Sequence, residues 1–383
     1  MSKQILCPFC FTPFDEGELK YVCLDCGQET IAKNATSREL KKGINCKTAS
    51  CHQRLVHTKK CPICNETLPD ALFDTTNLPF SLIGSSGSGK TNYITVLLNE
   101  LSRRTRNLKL SLEAQNHETL TSYEDNRRIV YDDRMSLPAT TPMSERPSIW
   151  TVKNSNRRVM GNPLSYVLNI FDGAGETHNN LLSESAQRDA RYIEHSKAVI
   201  FVIDPLRFSG LRSLANRIDP NNYKNSSALR TESNNSVTVI QNTAKLIRKA
   251  LRLKSNAPID MFVAIVIAKM DLFLDSEFSG TKFAQETPHP NLGCFDMQDC
   301  LAIDKELTNW LIDNDEQEFI TALEQNFRFT QEGLLKKKKC FLFGTSAFGS
   351  APDSHGSLPT IHPHRVLDPI LWLLAQQDFI DIK

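Results

Sequence analysis

The chain alternates between short apolar runs and longer stretches in which apolar residues recur every three or four positions. Unbroken apolar runs of strand length indicate buried strands. These runs are Leu78–Ile83, Ala198–Ile203, Met261–Ile267 and Cys340–Phe343. The spacing between them leaves room for helices, so the pattern predicts an α/β domain built on a sheet.

Stretches of helical periodicity follow these runs, and less apolar segments lie between them. The predicted helices are Thr91 to about Arg104, His117 to about Arg134, Val237 to about Leu253, Asp304 to Phe327 and Arg365–Gln377. Further strands are predicted at Leu108–Leu112, Ser148–Lys153 and Leu164–Phe171. The segment Phe208–Ser236 is rich in Asn, Ser and Arg, which predicts that most of it is an inserted loop.

Cysteine usage divides the chain. Eight of the 11 cysteines precede residue 65, whereas the predicted strands and helices begin at residue 78. We therefore predict a cysteine-rich module over residues 1–66, a linker over 67–77 and an α/β domain over 78–383. A length of 383 residues suits about two such units.

Charge and hydropathy argue against a nucleic-acid binder, a membrane protein and a secreted protein. The 45 basic and 44 acidic residues leave a formal net charge of +1, so no global field favours nucleic acid or a membrane surface. No apolar run approaches the roughly 20 residues that span a bilayer. The first residues lack the apolar core of a signal peptide. We therefore expect a cytoplasmic location. In that compartment the cysteines should be free thiols or metal ligands and not disulfides.

The early cysteines have the spacing of metal-binding knuckles. The first set has the spacing of a zinc ribbon, and the second set is less regular; each supplies four thiolates for one tetrahedral zinc ion. The first set is Cys7, Cys10, Cys23 and Cys26, and the second is Cys46, Cys51, Cys61 and Cys64. We predict two structural zinc sites, with His52 or His57 as an alternative ligand of the second.

Other uses of this module remain open. A redox CxxC pair fits less well, because several such pairs in one short segment are typical of metal binding. Basic residues within the module could contact phosphate, or they could form a solvated face. A protein-docking role is slightly favoured over nucleic-acid binding.

A phosphate-binding motif follows the first predicted strand. The residues are Gly84, Ser85, Ser86, Gly87, Ser88, Gly89, Lys90 and Thr91, which fit GxxxxGK[ST] between a strand and a helix. Such glycines let backbone N–H groups surround phosphate oxygens, and the helix N-terminus adds positive potential. We expect Lys90 to contact the β- and γ-phosphates and the Thr91 hydroxyl to hold Mg²⁺.

A second motif, Asp172-Gly173-Ala174-Gly175-Glu176, ends the predicted strand Leu164–Phe171. Asp172 can hold the magnesium ion directly or through water. The Gly175 N–H can contact the γ-phosphate, so that hydrolysis releases the loop. The alternative is a plain Asp-Gly turn.

With these motifs, the part from about Leu78 to Gln377 resembles GTPases of the TRAFAC class, the Ras-like superfamily, and in detail the bacterial double-GTPase-like group. The shared segments are the P-loop, DGAGE, AKMD at 268–271 and LDPILWLL at 367–374. The resemblance implies a mostly parallel sheet with one antiparallel strand next to the switch region. It also implies GTP/GDP with Mg²⁺ as ligands. The group name describes paired domains, yet this chain has one P-loop.

The resemblance assigns base recognition to two segments. Asp271 would accept hydrogen bonds from guanine, and the stem of Lys269 would cover the base. Ala268 stands where the family pattern has Asn or Thr, which loosens the expected preference for guanine. Ser346 and Ala347 resemble the loop whose backbone contacts guanine O6.

The resemblance also concerns hydrolysis. The first switch of such proteins uses a Thr, for which Thr140 and Thr141 are candidates, and Thr141 is slightly preferred. Glu176 stands where Ras-like proteins usually keep a Gln that orients water. Because a carboxylate near a γ-phosphate is repelled, we expect slow hydrolysis without a partner.

These expectations combine into a Mg²⁺-dependent GTP-binding and GTP-hydrolysing switch that holds two Zn²⁺ ions. Its zinc module or switch regions would dock a protein partner, in a bacterial multi-protein system of the defence type by analogy. Three alternatives remain: an ATP-dependent P-loop NTPase, a module that binds GTP without hydrolysis, and a nucleotide-regulated zinc-ribbon nucleic-acid binder.

Overall fold

The computed structural model describes most of the chain. The described residues are 4–34, 36, 44–46, 48, 50–51, 55–56, 58–74, 76–84, 87–104, 106–138, 147–159, 162–172, 191–220, 236–327 and 339–383. In these ranges no helix is both long and apolar enough to cross a membrane.

The N-terminal part consists of short strands. They are β1 Gln4–Leu6, β2 Pro13–Asp15, β3 Lys20–Val22, β4 Glu29–Ile31, β5 Ile44–Asn45, β6 Leu55–Val56 and β7 Thr58–Lys60. Antiparallel pairing joins β1 to β2, β5 to β6, and β3 to both β4 and β7. The β3–β7 pairing brings the start and the end of this part together.

The predicted linker over residues 67–77 is largely structured. Leu68 and Leu72 are buried in the core of the cysteine-rich part, and Ala71–Asp74 form helix α1. The next strand already begins at Thr76. These residues therefore belong to the two folded parts on either side.

A seven-stranded sheet forms the remainder of the described structure. Its strands are β8 Thr76–Gly84, β9 Leu110–Ala114, β10 Ser148–Val159, β11 Asn162–Asp172, β12 Ala198–Ile203, β13 Phe262–Ile267 and β14 Cys340–Gly344. The spatial order is β14-β13-β12-β8-β11-β10-β9. Strands β14, β13, β12, β8 and β11 are parallel neighbours, and β10 runs antiparallel to both β11 and β9. The predicted mostly parallel sheet with one antiparallel strand is confirmed.

Helices cover both faces of this sheet. They are α2 Lys90–Arg104, α3 His117–Arg127, α4 Ser209–Ile218, α5 Ser236–Ala250, α6 Asp271–Glu277, α7 His289–Leu292, α8 Met297–Asp313, α9 Gln317–Asn326 and α10 Asp368–Gln376. A π-helical turn, Arg128–Asp132, extends α3. Alternate residues of β12 enter two separate cores, Ile200 on the side of α2 and α10, and Phe201 on the side of α4, α5 and α9. The architecture is a three-layer α/β sandwich.

The structure differs from the predicted elements in two places. The segment of which most was predicted to be an inserted loop contains α4, which buries Leu211, Leu214 and Ala215. The helix predicted over 304–327 is two helices, α8 and α9, separated at residues 314–316. The side chain of Asp296 caps α8 by accepting hydrogen bonds from the N–H groups of residues 298 and 299.

Candidate functional site

The described residues of the predicted site motifs lie at one edge of the sheet. Strands β11, β8, β12, β13 and β14 are parallel, so their carboxyl ends share this edge. Each predicted motif follows one of these ends: DGAGE follows β11, the P-loop β8, AKMD β13, and the Ser346 loop β14. In open α/β sheets this edge is where ligands bind.

The P-loop turns sharply between β8 and α2. Gly87 and Gly89 have φ angles of 73° and 82°, which side-chain-bearing residues rarely adopt. Lys90 begins α2, is buried, and its Nζ donates to the Gly84 carbonyl at 3.2 Å. Ser85 and Ser86 lie outside the described residues. The loop thus has the backbone freedom and the helix N-terminus that phosphate binding requires.

Gly84 also allows two strands to approach closely. A Cβ atom on this residue would lie 2.2 Å from the Val202 carbonyl oxygen of β12. Only glycine therefore lets β8 end beside β12 in this position.

Lys269 connects the AKMD segment to the P-loop. Its Nζ donates to the Gly87 carbonyl at 3.0 Å and pairs with Asp204 Oδ2 at 2.6 Å. Asp204 is fully buried, and its other oxygen accepts a hydrogen bond from Leu206 N–H at 2.8 Å. One carboxylate therefore fixes both a turn after β12 and the lysine of the AKMD segment.

Sequence reasoning missed Asp204. Its signal was a carboxylate directly after the buried run Ala198–Ile203, at the same edge as the other motifs. A buried carboxylate at this position needs a cationic partner. Lys269 is the partner that the structure supplies.

Asp271 and Ser346 face each other across the ends of β13 and β14. Ser346 Oγ donates to Asp271 Oδ1 at 2.6 Å and accepts from Gly349 N–H at 2.8 Å. Burial raises the pKa of Asp271 above its usual value, and the hydrogen bond from Ser346 opposes that shift. Ala347 packs against the core beside this pair.

A buried ionic network anchors the loop that carries Ser346. Backbone hydrogen bonds of 3.0 and 2.8 Å join Ser346 to His364. The adjacent Arg365 donates to Asp299 at 2.9 Å and to Asp368 at 2.8 Å, and all three side chains are buried. The network therefore ties the loop to helices α8 and α10.

His289 lies against this network but is unsuited to metal binding. Its Nε2 lies 3.7 Å from Asp368 and 4.0 Å from Asp299. Its Nδ1 accepts the N–H of Asp296 at 3.1 Å, so a neutral ring carries its proton on Nε2. A protonated nitrogen has no lone pair for a metal, and the Arg365 cation is close by.

The remaining predicted switch residues are described only in part. Asp172 ends β11, which places its backbone at the edge described above, but its side chain is outside the description. Thr91 lies in the first turn of α2. Thr140, Thr141, Gly175 and Glu176 lie outside the described residues, as do His52 and His57.

The eight early cysteines form two compact groups, but their membership differs from the prediction. One group is Cys7, Cys10, Cys61 and Cys64, and the other is Cys23, Cys26, Cys46 and Cys51. The predicted sequential grouping, 7–26 and 46–64, was wrong. The β3–β7 pairing is antiparallel, so Cys23 after β3 and Cys61 after β7 lie at opposite ends of the pair, in different groups. Along the chain, the cysteines of the first group stand before and after those of the second.

Both groups fit a zinc ion. In the first, the Sγ–Sγ distances are 3.7 Å for Cys7–Cys64 and 3.9 Å for Cys10–Cys61. In the second, they are 3.5 Å for Cys23–Cys51 and 3.4 Å for Cys26–Cys46. A tetrahedral Zn–S distance of about 2.3 Å separates sulfurs by roughly 3.8 Å. These spacings exceed a disulfide bond of about 2.05 Å.

Hydrogen bonds among the thiols and with Thr48 shift the pKa values of several of these cysteines. A hydrogen bond from Cys7 lowers the pKa of Cys10 to about 4, and the same contact raises the pKa of Cys7. In the second group, hydrogen bonds to Thr48 lower the pKa of Cys46 to about 6. Each group therefore contains at least one thiol poised to ionise, and a cation would stabilise the remaining thiolates.

Comparisons with known proteins connect this geometry to a family. The chain is 24% identical over 342 residues to a putative ESX-1 scaffolding and assembly protein, SaeC, from Mycolicibacterium smegmatis, covering 82% of this chain and 79% of that protein.

Solved structures of other proteins are also similar to this chain. The S. cerevisiae Ski7 GTPase-like domain bound to GTP is 14% identical, with a TM-score of 0.31 over 82% of this chain and 54% of that one. The Trypanosoma brucei Arl6 BBS3 small GTPase bound to GppNp is 12% identical, with a TM-score of 0.29 over 79% of this chain and 98% of that one. This chain thus spans about half of the Ski7 chain.

The Double-GTPase 2 family model matches residues 79–293, more than half of the 383 residues. The matched stretch contains the P-loop, β11, the Asp204 turn and the AKMD segment. It covers strands β9 to β13 and most of β8, and with them four of the five strand ends at the edge described above. The chain therefore belongs to the Double-GTPase 2 family and has a Ras-like P-loop fold.

Proposed function

We propose that this protein is a Mg²⁺-dependent molecular switch that binds and hydrolyses GTP. The observation that carries the proposal is the bridge from Lys269 to Gly87 and Asp204, next to the Asp271–Ser346 pair. This arrangement joins a phosphate-binding loop to a carboxylate suited to guanine. Asp271 can accept from the adjacent N–H and amino group of guanine, whereas adenine lacks that pair of donors.

Within this proposal each residue has one role. Backbone N–H groups of residues 84–89 and the ammonium of Lys90 hold the phosphates. Thr91 and Asp172 hold Mg²⁺, and Thr141 completes its coordination when the first switch closes. The Gly175 N–H contacts the γ-phosphate. Ser346 and Ala347 hold the base from the β14 side.

We propose that hydrolysis by the isolated protein is slow. Glu176 follows the DxxG motif, where its charge would oppose the phosphate oxygens unless a cation offsets it. A partner or a second copy would then supply the activating group. Turnover of tens per second by the isolated chain would contradict this part of the proposal.

We propose that the cysteine-rich module over residues 1–66 holds two zinc ions and docks a protein partner. A relative named as a scaffolding and assembly protein supports protein interactions over nucleic-acid binding. The name of that relative is compatible with a role in a multi-protein system, for which a defence system is one example. A steep loss of partner binding with salt would instead favour nucleic acid.

Nucleotide competition tests the proposal. Fluorescent GTP would be displaced from the full chain by unlabelled GTP or by ATP in the presence of Mg²⁺. We expect GTP to compete at least tenfold better than ATP, and Lys90→Ala to abolish binding. Equal competition would favour an ATP-dependent NTPase.

Asp271→Asn tests base recognition in the same assay. An amide donates where the carboxylate accepts, so preference should shift from guanosine toward xanthosine nucleotides. Asp275→Asn, the same change at an exposed position of the helix that Asp271 begins, is the matched control and should leave the preference unchanged. An unchanged preference in Asp271→Asn would contradict the assigned role.

A further inference from the structure

The first cysteine knuckle packs against the GTPase fold at one aromatic contact. The rings of Phe11 and Tyr192 meet edge to face, with centroids 4.4 Å apart. Both side chains are buried, and Leu6 packs beside them. Tyr192 Oη also donates to the Phe9 carbonyl at 3.4 Å. The contact thus has both an apolar and a directional component.

The knuckle itself fixes the position of Phe11. Phe11 directly follows Cys10 and has a φ angle of 53°, a left-handed conformation that is unfavourable for a side-chain-bearing residue. Its N–H donates to the Cys7 carbonyl at 3.0 Å, which closes the turn between the two cysteines. The placement of the ring therefore depends on the turn that the first cysteine group holds together.

On the other side, Tyr192 is connected to the P-loop strand by short polar contacts. Its carbonyl accepts from Ser196 Oγ at 2.7 Å, and Ser196 Oγ lies 2.6 Å from Ser81 Oγ. Ser81 is a buried residue of β8, three positions before Gly84. The Lys197 N–H adds a hydrogen bond of 2.9 Å to the Pro79 carbonyl of the same strand.

We infer that this contact is an internal docking surface through which the first cysteine group controls nucleotide release. The inference rests on the proposed function, because it concerns the rate at which the P-loop releases GTP or GDP. Seating Phe11 on Tyr192 holds residues 191–196 against β8, which steadies the strand that carries Gly84. Loss of the contact loosens that support, and nucleotide leaves faster.

The other knuckles provide a contrast within the same module. Leu24 and Ile63 occupy the tips of the knuckles Cys23–Cys26 and Cys61–Cys64, and they are 74% and 59% exposed. Ile63 lies in the knuckle Cys61–Cys64, which shares a cysteine group with the knuckle before Phe11, but its side chain is exposed to solvent. Ile63→Ala is therefore a matched truncation that leaves the interface intact.

The experiment measures dissociation of fluorescent GDP from the full chain after addition of excess unlabelled GDP. We expect Phe11→Ala and Tyr192→Ala each to speed dissociation about fivefold, the low end of coupling between sites, with little further gain in the double variant. Ile63→Ala should leave the rate unchanged. Unchanged rates in both interface variants, with nucleotide still bound, would overturn the inference.

The link to the cysteine group is tested by Cys10→Ser. This variant should speed dissociation like Phe11→Ala, and adding it to Phe11→Ala should produce no further change. A clearly additive effect would mean that the cysteine group acts by another route, and would overturn the inference.

Amide hydrogen exchange separates this inference from the proposed function. In Phe11→Ala the amides of residues 191–197 should exchange faster than in wild type, whereas they should not in Ile63→Ala. If the wild-type protein binds no guanine nucleotide, the proposed function fails while the exchange result still reports the coupling. If exchange is unchanged, the coupling fails whether or not nucleotide binds.

Discussion

The carboxylate of Asp204 accepts a hydrogen bond from Leu206 N–H and pairs with Lys269, and substitution by Asn separates these two interactions. Asp204→Asn keeps an oxygen to accept from Leu206 N–H but replaces the oxygen that pairs with Lys269. Lys269 then loses its anionic partner beside Gly87. We expect affinity for GTP to fall about tenfold, in line with the roughly 1.5–3 kcal/mol of a charged hydrogen bond. Calorimetry or fluorescence titration measures this loss.

The matched control for Asp204→Asn is Asp275→Asn, an identical change at an exposed position of α6. It should leave both affinity and thermal stability unchanged. If Asp204→Asn bound GTP as tightly as wild type, Lys269 would not depend on this carboxylate for its position.

His289 gives the molecule a dependence on pH. The ring is fully buried and stacks on Phe295 at 4.3 Å between centroids. Burial lowers its pKa below the ordinary value, although Asp368 and Asp299 oppose this. A lowered histidine pKa means that the folded state binds protons less readily than the unfolded chain. The contribution of neutral His289 to the free energy of unfolding is therefore fully present above about pH 6.5, and it is lost as the pH falls below that value.

We therefore expect the free energy of unfolding to decrease between pH 7.5 and pH 5.5, and His289→Asn to reduce that decrease. Asn retains an acceptor for the Asp296 N–H but does not titrate. Replacing the exposed His117 by Asn is the control and should leave the pH dependence as in wild type. Urea denaturation at the two pH values measures both, and an identical slope in His289→Asn would contradict the assignment.

At the scale of elements, the meeting of β8 and β12 depends on one missing side chain. Gly84→Ala places a methyl group 2.2 Å from the Val202 carbonyl oxygen, so the two strand ends must separate. We expect a loss of about 2–3 kcal/mol of stability, typical of overpacking. Nucleotide binding should fall as well, because the same glycine begins the P-loop. Thermal unfolding and GTP titration measure the two effects.

Gly17→Ala is the control for this substitution. There the added methyl group would find its nearest atom at 3.9 Å, an ordinary contact. Stability close to wild type is expected. A Gly84→Ala protein that unfolds at the wild-type temperature would show that the strand ends tolerate separation.

The elements differ in how far the sequence predicts them. The run Ala198–Ile203 coincides with β12, because six consecutive apolar residues suit a strand buried on both faces. Helix α4 was missed because Asn, Ser and Arg dominate the composition around it. Its three buried residues nevertheless follow helical spacing. The polar composition of the surrounding segment made the helical spacing of these three buried residues hard to recognise.

Site residues that belong to a short sequence motif could be predicted, whereas residues brought to the site by the pairing of distant strands could not. Lys90 and Asp271 were identified because their motifs contain the information within a few residues. Asp204 needed the knowledge that β12 and β13 are neighbours, which places its carboxylate beside Lys269. Spacing alone likewise could not show which cysteine knuckles meet, since Cys7–Cys10 and Cys61–Cys64 share a group although they are far apart in the chain.

At the scale of the whole molecule, the grouping of the cysteines predicts how substitutions would remove the two proposed zinc ions. Sequential grouping would place Cys7 and Cys23 in one site, so replacing both with Ser would remove one ion. In the structure they belong to different groups, whereas Cys7 and Cys61 share one. We expect Cys7→Ser/Cys23→Ser to lose both zinc ions, and Cys7→Ser/Cys61→Ser to lose only one.

Zinc content per chain, measured by mass spectrometry of metals, distinguishes these outcomes, and each double variant is the control for the other. The physical reason is that a tetrahedral thiolate site that loses one of its four ligands binds zinc far more weakly. Equal loss in both variants would mean that the module unfolds as a unit whenever either site opens. One ion retained in Cys7→Ser/Cys23→Ser would restore the sequential grouping and with it a different path for the chain. In that case Cys61 and Cys64 would not lie beside Cys7 and Cys10, and the turn before Phe11 would be held together with Cys23 and Cys26 instead.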